Sequence, residues 1–402
     1  MGGNGQAGEA REQGKLRILL LSDEPRDASM GGAKVALRLQ AALRRLGHDC
    51  DALFRPDLGE RPRAQRLRLA LAPALARRAA ARRGGRGYDV IDAASAEGWL
   101  LPRGGGAAAV VARSHGLEHR YYAALLEDAQ RGLVRKPWPR RAWYPLTRLP
   151  QVALALRRAA RVIVPNRTDA AAIAARGWQA EERIETIPHG VERAAWRAAP
   201  AAEAARGGGL LYCGWWTTSK GVAYLAQAHA RLAARGMRVP LTLLGVGYGD
   251  GGWERQQARV RAAFPAECQA LLRLLPRTRN EAEVLEAYRR HDLLICPSTS
   301  EGFGLVVVEA LSQRLPVVCS RAAGAAELLR DGREALLVEP RDAEALAAAI
   351  ERMWTAPELR RRMGEAGHAA TAELSWDAVA ERTAACYRRA LIGDNAAWPT
   401  SA

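Results

Sequence analysis

Short apolar runs alternate with stretches of helical periodicity along most of the chain. Residues 16–21, 50–54, 88–92, 108–111, 162–166 and 184–187 read as strands in the first half. Residues 210–214, 240–245, 271–275, 293–296, 316–319 and 335–338 read as strands in the second. Most are apolar without alternation, the pattern of a parallel strand covered on both faces. Between them come helical spacings: Val35, Leu39, Leu43 and Leu46 in 33–46, then segments 221–234, 253–264, 280–290, 324–330 and 342–354. Strand and helix alternating twice over predict an α/β protein of two doubly wound parallel sheets, with ligands beyond the carboxyl ends of the strands in a cleft between domains. The domain reading is a mobile polar tail at 1–14, a first domain at 15–193, an Ala/Pro/Gly linker at 194–209 and a second domain at 210–372. A last segment, 373–402, starts a helix at Ser375, with Trp376, Val379, Thr383 and Tyr387 along one side.

Composition adds little to this picture until charge is placed. A chain of 402 residues has room for two cores. It shows no run of eighteen apolar residues and no charged-apolar-small leader, so neither a membrane span nor a secretory signal is expected, and the expected location is the cytoplasm. Six cysteines without C-x-x-C spacing read as reduced core thiols. The formal charge of +17 is mostly arginine in an alanine-crowded chain, so coding bias and a partner are both open. It concentrates in two stretches. Residues 61–86 predict a basic amphipathic helix broken at Pro73. Residues 131–161 set Trp138, Trp143 and Tyr144 beside Arg135, Lys136, Arg140, Arg141 and Arg148. Such a segment suits peripheral contact with an anionic membrane, or a solvated helix over the first core, and the residues leave both open. No nucleic-acid motif accompanies the charge, so no nucleic acid partner is expected, although a basic nucleic-acid-binding protein stays as an alternative.

Chemistry concentrates at residues 297–309, P-S-T-S-E-G-F-G-L-V-V-V-E, directly after the apolar run 293–296. Gly302 and Gly304 leave backbone uncovered where the elbow turns into a helix, so amides and the helix dipole can approach a phosphate. Glu301 and Glu309 bracket the turn; eight residues of helical rise separate them by about 12 Å. Two carboxylates flanking an anion site describe the ends of a nucleotide diphosphate sugar. Taken singly, either Glu reads better as a solvated helix residue.

The whole string, with Ala310-Leu311, Pro316-Val317-Val318, Glu327 and Asp331-Gly332 following, resembles the E-x7-E region of the family 4 retaining glycosyltransferases of GT-B fold. The resemblance covers nearly the whole chain and is specific from Gly214 to Val338. It implies two Rossmann-like domains facing a central cleft, with the C-terminal helix returning to the first. It implies transfer of a hexose from a UDP- or GDP-sugar to a saccharide or lipid-linked acceptor, in cell-surface polysaccharide or glycolipid synthesis. It also implies neither a cofactor nor a divalent metal. Residue by residue, it assigns Lys220 to the donor phosphates, Glu301 to the sugar hydroxyls near the reacting carbon, and Glu309 to the ribose. Gly302, Phe303, Gly304 and Leu305 supply the elbow around the phosphates, with Gly214 at the preceding strand end. Gly31 and Gly32 lie under the diphosphate and the acceptor, Arg277 lies near the base, and His115 stands near the donor sugar.

The match has gaps. Trp215 stands where the family often has a phosphate-binding arginine, and it reads equally as a sugar-packing or a structural aromatic. Arg314 and Ala335 occupy positions where glycine is usual. His115 is also readable as a structural histidine; with His119 it mimics a metal pair, but no carboxylate spacing completes a site. Asp49 and Asp51 enter a strand rather than leaving one, so no metal site is expected there. A nucleotide-sugar epimerase or a glycan phosphorylase shares the architecture, and fold alone leaves both open; the E-x7-E string with the Lys220 segment favours transfer.

Overall fold

The computed structural model describes residues 14–54, 87–94, 96–101, 108–134, 138–198, 206–247 and 252–393. The basic segment 61–86, nearly all of the predicted tail and part of the predicted linker lie outside these described residues. The chain forms two compact units. The first comprises residues up to His119, then Lys136–His189 and the segment from Trp376; the second comprises Arg120–Arg135 and Gly190–Ser375.

In the first unit, β1 (Arg17–Leu21), β2 (Asp49–Leu53), β3 (Val90–Ala94), β4 (Ala109–Arg113), β5 (Arg161–Val164) and β6 (Ile184–Thr186) form one sheet. Its order is β2-β1-β3-β4-β5-β6 and every pairing is parallel. Helices α1 (Gly31–Arg45), α2 (Glu118–Gln130), α3 (Trp138–Arg158) and α4 (Arg167–Ala175) accompany it in the chain, α2 passing into the second unit after His119.

The second unit has a sheet of β7 (Leu210–Cys213), β8 (Leu241–Leu244), β9 (Leu272–Leu275), β10 (Leu293–Cys296), β11 (Val317–Ser320) and β12 (Leu336–Val338). Its order is β12-β11-β10-β7-β8-β9, again all parallel. Helices α5 (Val222–Ala234), α6 (Gly252–Arg261), α7 (Glu281–Arg290), α8 (Leu305–Ser312), α9 (Ala343–Trp354) and α10 (Pro357–Ala370) connect it. Its strands explain why sequence periodicity was flat. Leu293 and Ile295 enter one buried cluster while Leu294 and Cys296 enter another, so successive side chains fill cores on opposite faces.

The terminal helix α11 (Trp376–Gly393) belongs to the first unit and packs there on α1 and β4. A buried polar joint fixes it. Arg113 on β4 pairs with Asp92 on β3 at 2.7 Å, Tyr387 on α11 donates to the same Asp92 at 2.6 Å, and Arg113 reaches Thr383 at 3.4 Å. All six cysteines are free thiols. No helix among the described residues is long and apolar enough to cross a membrane.

Several expectations need correction. Helices α2, α4 and α10 escaped the apolar-spacing argument because their sequences are polar or alanine- and glycine-rich. In α10, Gly364 sits where a Cβ would come 2.4 Å from the Arg314 carbonyl oxygen, so a glycine that reads as a helix breaker is there for close packing. Segment 324–330, read as an α-helix, is a 3-10 turn over Gly324–Leu328. The predicted linker starts inside structure: Arg193–Arg197 is a short helix whose Trp196 stacks on His368 at 4.3 Å. Residues 120–135, assigned to the first domain from sequence, associate with the second unit. Arg314, flagged as standing in a glycine position, has φ 57°, the left-handed geometry that glycine adopts without strain.

Candidate functional site

The order of the second sheet sets the site. The chain builds β7, β8 and β9 outward, then returns to lay β10 against the other side of β7, so the connections leaving β7 and β10 diverge at a topological switch point. The β7 connection carries Gly214 and Lys220; the β10 connection carries residues 297–304. The predicted residues Lys220 and Glu301 are brought together there as an ion pair, with Ser298 Oγ 3.4 Å from the same Glu301 oxygen. Burial opposes the charge on Lys220, but Glu301 and then the Tyr121 phenol outweigh it and hold the ammonium above its ordinary range.

The two connections are locked together by backbone. Thr299 and Ser300 amides donate to the Ser219 carbonyl at 2.9 and 3.3 Å. Gly221, at φ 69°, follows the 3-10 turn Thr218–Lys220 so closely under the elbow that a Cβ there would lie 1.8 Å from the Pro297 carbonyl oxygen. Gly214 continues β7, its amide donating to Leu244 at 2.9 Å. Trp215 is half-buried, its carbonyl accepting from the Tyr212 hydroxyl at 2.7 Å.

Glu301 is not helical, which corrects the spacing argument. It forms a parallel bridge with Ala323, and helix α8 begins only at Leu305 after Gly304 turns left-handed at φ 92°. The two carboxylates therefore belong to different elements. Phe303 is buried, its carbonyl accepting from Ala325 at 2.7 Å, while Gly304 and Leu305 open α8. Glu309, in the middle of α8, accepts from the Tyr288 hydroxyl at 3.1 Å. Burial, then Cys213 and Glu309, push that phenol well above its usual range, so it remains a donor. Arg277 lies exposed in the loop between β9 and α7.

The Gly302 amide, expected to face a phosphate, instead donates to the Tyr121 hydroxyl on α2 at 2.8 Å. Further along that helix, Asp128 accepts from Thr299 Oγ1 at 3.1 Å and from Arg341 Nε at 2.9 Å, and Arg341 also donates to the Ala124 carbonyl at 3.1 Å. These contacts are why 120–135 associates with the second unit.

The first unit has its own switch point between β1 and β3. Arg148, 4% exposed, is ion-paired there with Asp23 at 3.1 Å, Glu97 at 3.0 Å and Glu118 at 3.0 Å, and Tyr144 donates to Glu118. Burial pushes the Glu97 carboxyl up to about 7 against the pull of Arg148. Gly31 and Gly32 open α1, but the Ala33 amide beside them is capped by the Glu24 carboxylate at 2.7 Å. An own-chain carboxylate therefore stands at the helix end expected under the diphosphate. His115, half-buried after β4, lies 6.0 Å from His189, ring centre to ring centre. Burial and then Arg113 lower its pKa, so the imidazole is neutral near pH 7, and its buried Nδ1 has no partner among the described residues. The ring of His119 packs instead on Trp178 at 4.4 Å. Among the described residues no group of three or more His, Cys, Asp and Glu is placed to hold a metal.

Two family models match in chain order. Residues 30–194 match "Glycosyltransferase Family 4" and residues 208–356 match "Glycosyl transferases group 1". The chain belongs to family 4 of the GT-B glycosyltransferases. Among curated relatives of this family member is the D-inositol 3-phosphate glycosyltransferase of Acidothermus cellulolyticus, 33% identical over 221 residues, covering 52% of this chain and 49% of the relative. Alignments to such relatives span 22% to 56% of their length. Among solved structures, sucrose-phosphate synthase from Thermosynechococcus elongatus has a TM-score of 0.72 at 22% identity, over 92% of this chain and 98% of that one. Anabaena HepE in complex with UDP-glucose has a TM-score of 0.64 at 19% identity, over 92% and 98%. These likenesses show the fold.

Sequence reasoning missed Tyr121, Asp128, Tyr288 and Arg341 in the second unit, and Asp23, Glu97 and Glu118 around Arg148 in the first. None sits in a local motif. The available signal was positional: Asp23 and Glu97 lie within a few residues of the ends of the first and third strands, the two strand ends that flank a switch point.

Proposed function

We propose that the protein is a retaining, metal-independent hexosyltransferase that takes its sugar from UDP or GDP and gives it to a saccharide or lipid-linked acceptor in cell-surface polysaccharide or glycolipid synthesis. The observation that carries this reading is the Lys220–Glu301 pair at the switch point of the second sheet, beside the amino end of α8. Breaking the bond between C1 and a diphosphate puts charge on the leaving group, and a fixed ammonium with helix-end amides lowers that barrier. An arriving donor exchanges Lys220's partner: the ammonium turns to the phosphates and Glu301 is released to accept from sugar hydroxyls. Glu309 takes the ribose hydroxyls, Arg277 flanks the base, and Gly214 gives the donor close approach to the end of β7. In the retaining route the acceptor attacks the face the diphosphate leaves, and a phosphate oxygen takes its proton. His115 is proposed to meet the donor sugar with a neutral imidazole, and Gly31 and Gly32 to lie under the diphosphate and the acceptor. HepE of the same fold has been solved with UDP-glucose, which favours a nucleotide sugar here as well.

Turnover of UDP- and GDP-hexoses by the native protein and by Lys220→Ala and Glu301→Ala tests this. Each variant is expected to lose more than about tenfold, in line with charged hydrogen bonds contributing roughly 1.5–3 kcal/mol. Undiminished turnover in both sinks the assignment. An inverted anomer in the product sinks the retaining route, and loss of activity in a chelator sinks metal independence.

The acceptor side is proposed to work at an anionic membrane surface. On α3, Trp143, Leu146, Pro150 and Leu154 recur at helical spacing and are exposed, Leu146 by 75%. This helix carries five arginines and no acid, and Arg157 and Arg158 are exposed at its end. Co-sedimentation with vesicles rich in phosphatidylglycerol is expected, lost in Leu146→Glu and at high salt. Native protein that stays in the supernatant at low salt refutes it.

A further inference from the structure

The most constrained group near the elbow is one that no motif pointed to. Tyr121 lies on α2 with its hydroxyl 2.8 Å from the Gly302 amide that donates to it. An N–H has one proton, so while this bond stands the amide has none for a phosphate.

The bond is built to stand. Tyr121, Ala124 and Asp128 share one face of α2 at spacings of three and four residues. Asp128, 1% exposed, is held by Thr299 and by Arg341, whose side chain is 9% exposed, and Arg341 also grips the Ala124 carbonyl. Arg341 does so from a left-handed backbone, φ 69°, a conformation unusual for a non-glycine residue and retained only where surroundings enforce it. Removing one partner from a buried ion pair is strongly destabilising, so these contacts hold the helix against the elbow. The brace touches the elbow at Thr299 and at Gly302, either side of Glu301.

A hydroxyl that accepts a hydrogen bond from an amide becomes a better donor of its own proton. We propose that Tyr121 is a donor-binding residue, whose hydroxyl, fixed by the Gly302 amide, gives its proton to a diphosphate oxygen of the nucleotide sugar in that amide's stead. The donor platform thus includes a side chain 181 residues before the amide it meets, contributed by α2 rather than by the elbow. This rests on the reading that the second unit binds a nucleotide sugar.

Calorimetric titration of native protein and Tyr121→Phe with UDP and GDP, and NMR titration with uridine and guanosine, tests it. Loss of a hydrogen bond to a charged oxygen is expected to weaken the preferred diphosphate about tenfold or more, with the nucleoside changed less than about twofold. Tyr121→Phe that binds the diphosphate as tightly as native, or more tightly, overturns the proposal and leaves the phenol as a brace or a plug. If Tyr121→Phe does not fold, Asp128→Asn, which keeps the phenol and loosens its helix, is expected to show the same selective loss; unchanged diphosphate affinity there overturns it equally. Native protein that binds neither UDP nor GDP removes the donor reading itself, and this proposal with it.

Discussion

Replacing Gly221 by alanine strikes the point where the Lys220 turn and the elbow are pressed together. The backbone there has φ 69°, and the new Cβ would lie 1.8 Å from the Pro297 carbonyl oxygen and 2.6 Å from its carbon. The left-handed conformation costs an L-residue about 1–2 kcal/mol. Relieving the overlap must part the two connections by about 1 Å, since Cβ contacts under 3.0 Å are essentially never seen. That movement strains or breaks the Thr299 and Ser300 bonds to Ser219, each worth about 0.5–1.5 kcal/mol net. Alanine returns about 0.4–1 kcal/mol by restricting the unfolded chain. The balance is a loss of about 2–4 kcal/mol, or a fall of roughly 5–15 °C in the melting transition of a unit this size. Because the same movement separates Lys220 from Glu301, affinity for UDP or GDP should fall along with stability. Differential scanning calorimetry with and without nucleotide reads both. A Gly221→Ala protein melting within about 2 °C of native, with nucleotide stabilisation intact, would falsify the claim that this contact sets the site.

Two further outcomes follow from the first unit. The Glu97 carboxyl is raised by burial from 4.5 to about 7, so between those values the native state keeps a proton that the unfolded chain has released. This stabilisation is fully present below about pH 4.5 and is lost as pH rises through about 7, on the order of 3 kcal/mol. Glu97→Gln, which mimics the protonated acid, should melt with a flatter pH dependence from 5 to 8; identical profiles would contradict the assignment. Asp92→Ala leaves Arg113 buried without its carboxylate and removes the acceptor of Tyr387, so urea denaturation should show a loss of about 3–5 kcal/mol. Hydrogen exchange should place the loosening in α11, and an unchanged midpoint would mean that the joint contributes little.

Much of the architecture was legible because parallel strands buried on both faces leave short apolar runs bounded by turn residues. Runs such as Leu293–Cys296 announce themselves locally. So did the elbow, because its glycines and carboxylates lie in one unbroken string. The geometry of its first carboxylate was misread, since Gly304 breaks the helix at its start and leaves Glu301 in a bridge to Ala323. Helix α2 was illegible for a different reason: its Tyr121 and Asp128 are polar groups that become buried only against Gly302, Thr299 and Arg341, far away in the chain.

By itself the amino-acid sequence determined the alternation of strands and helices, the family, and the composition of the elbow, because each depends on residues near one another in the chain. Tertiary structure decided which groups share a site. Strand order laid β10 beside β7 and so brought Glu301 to Lys220. Helix packing gathered three carboxylates around Arg148 and set a phenol on the elbow's amide. The physical reason is that an apolar run fixes what a strand is, whereas the partner beside which it lies is chosen by packing of the entire sheet.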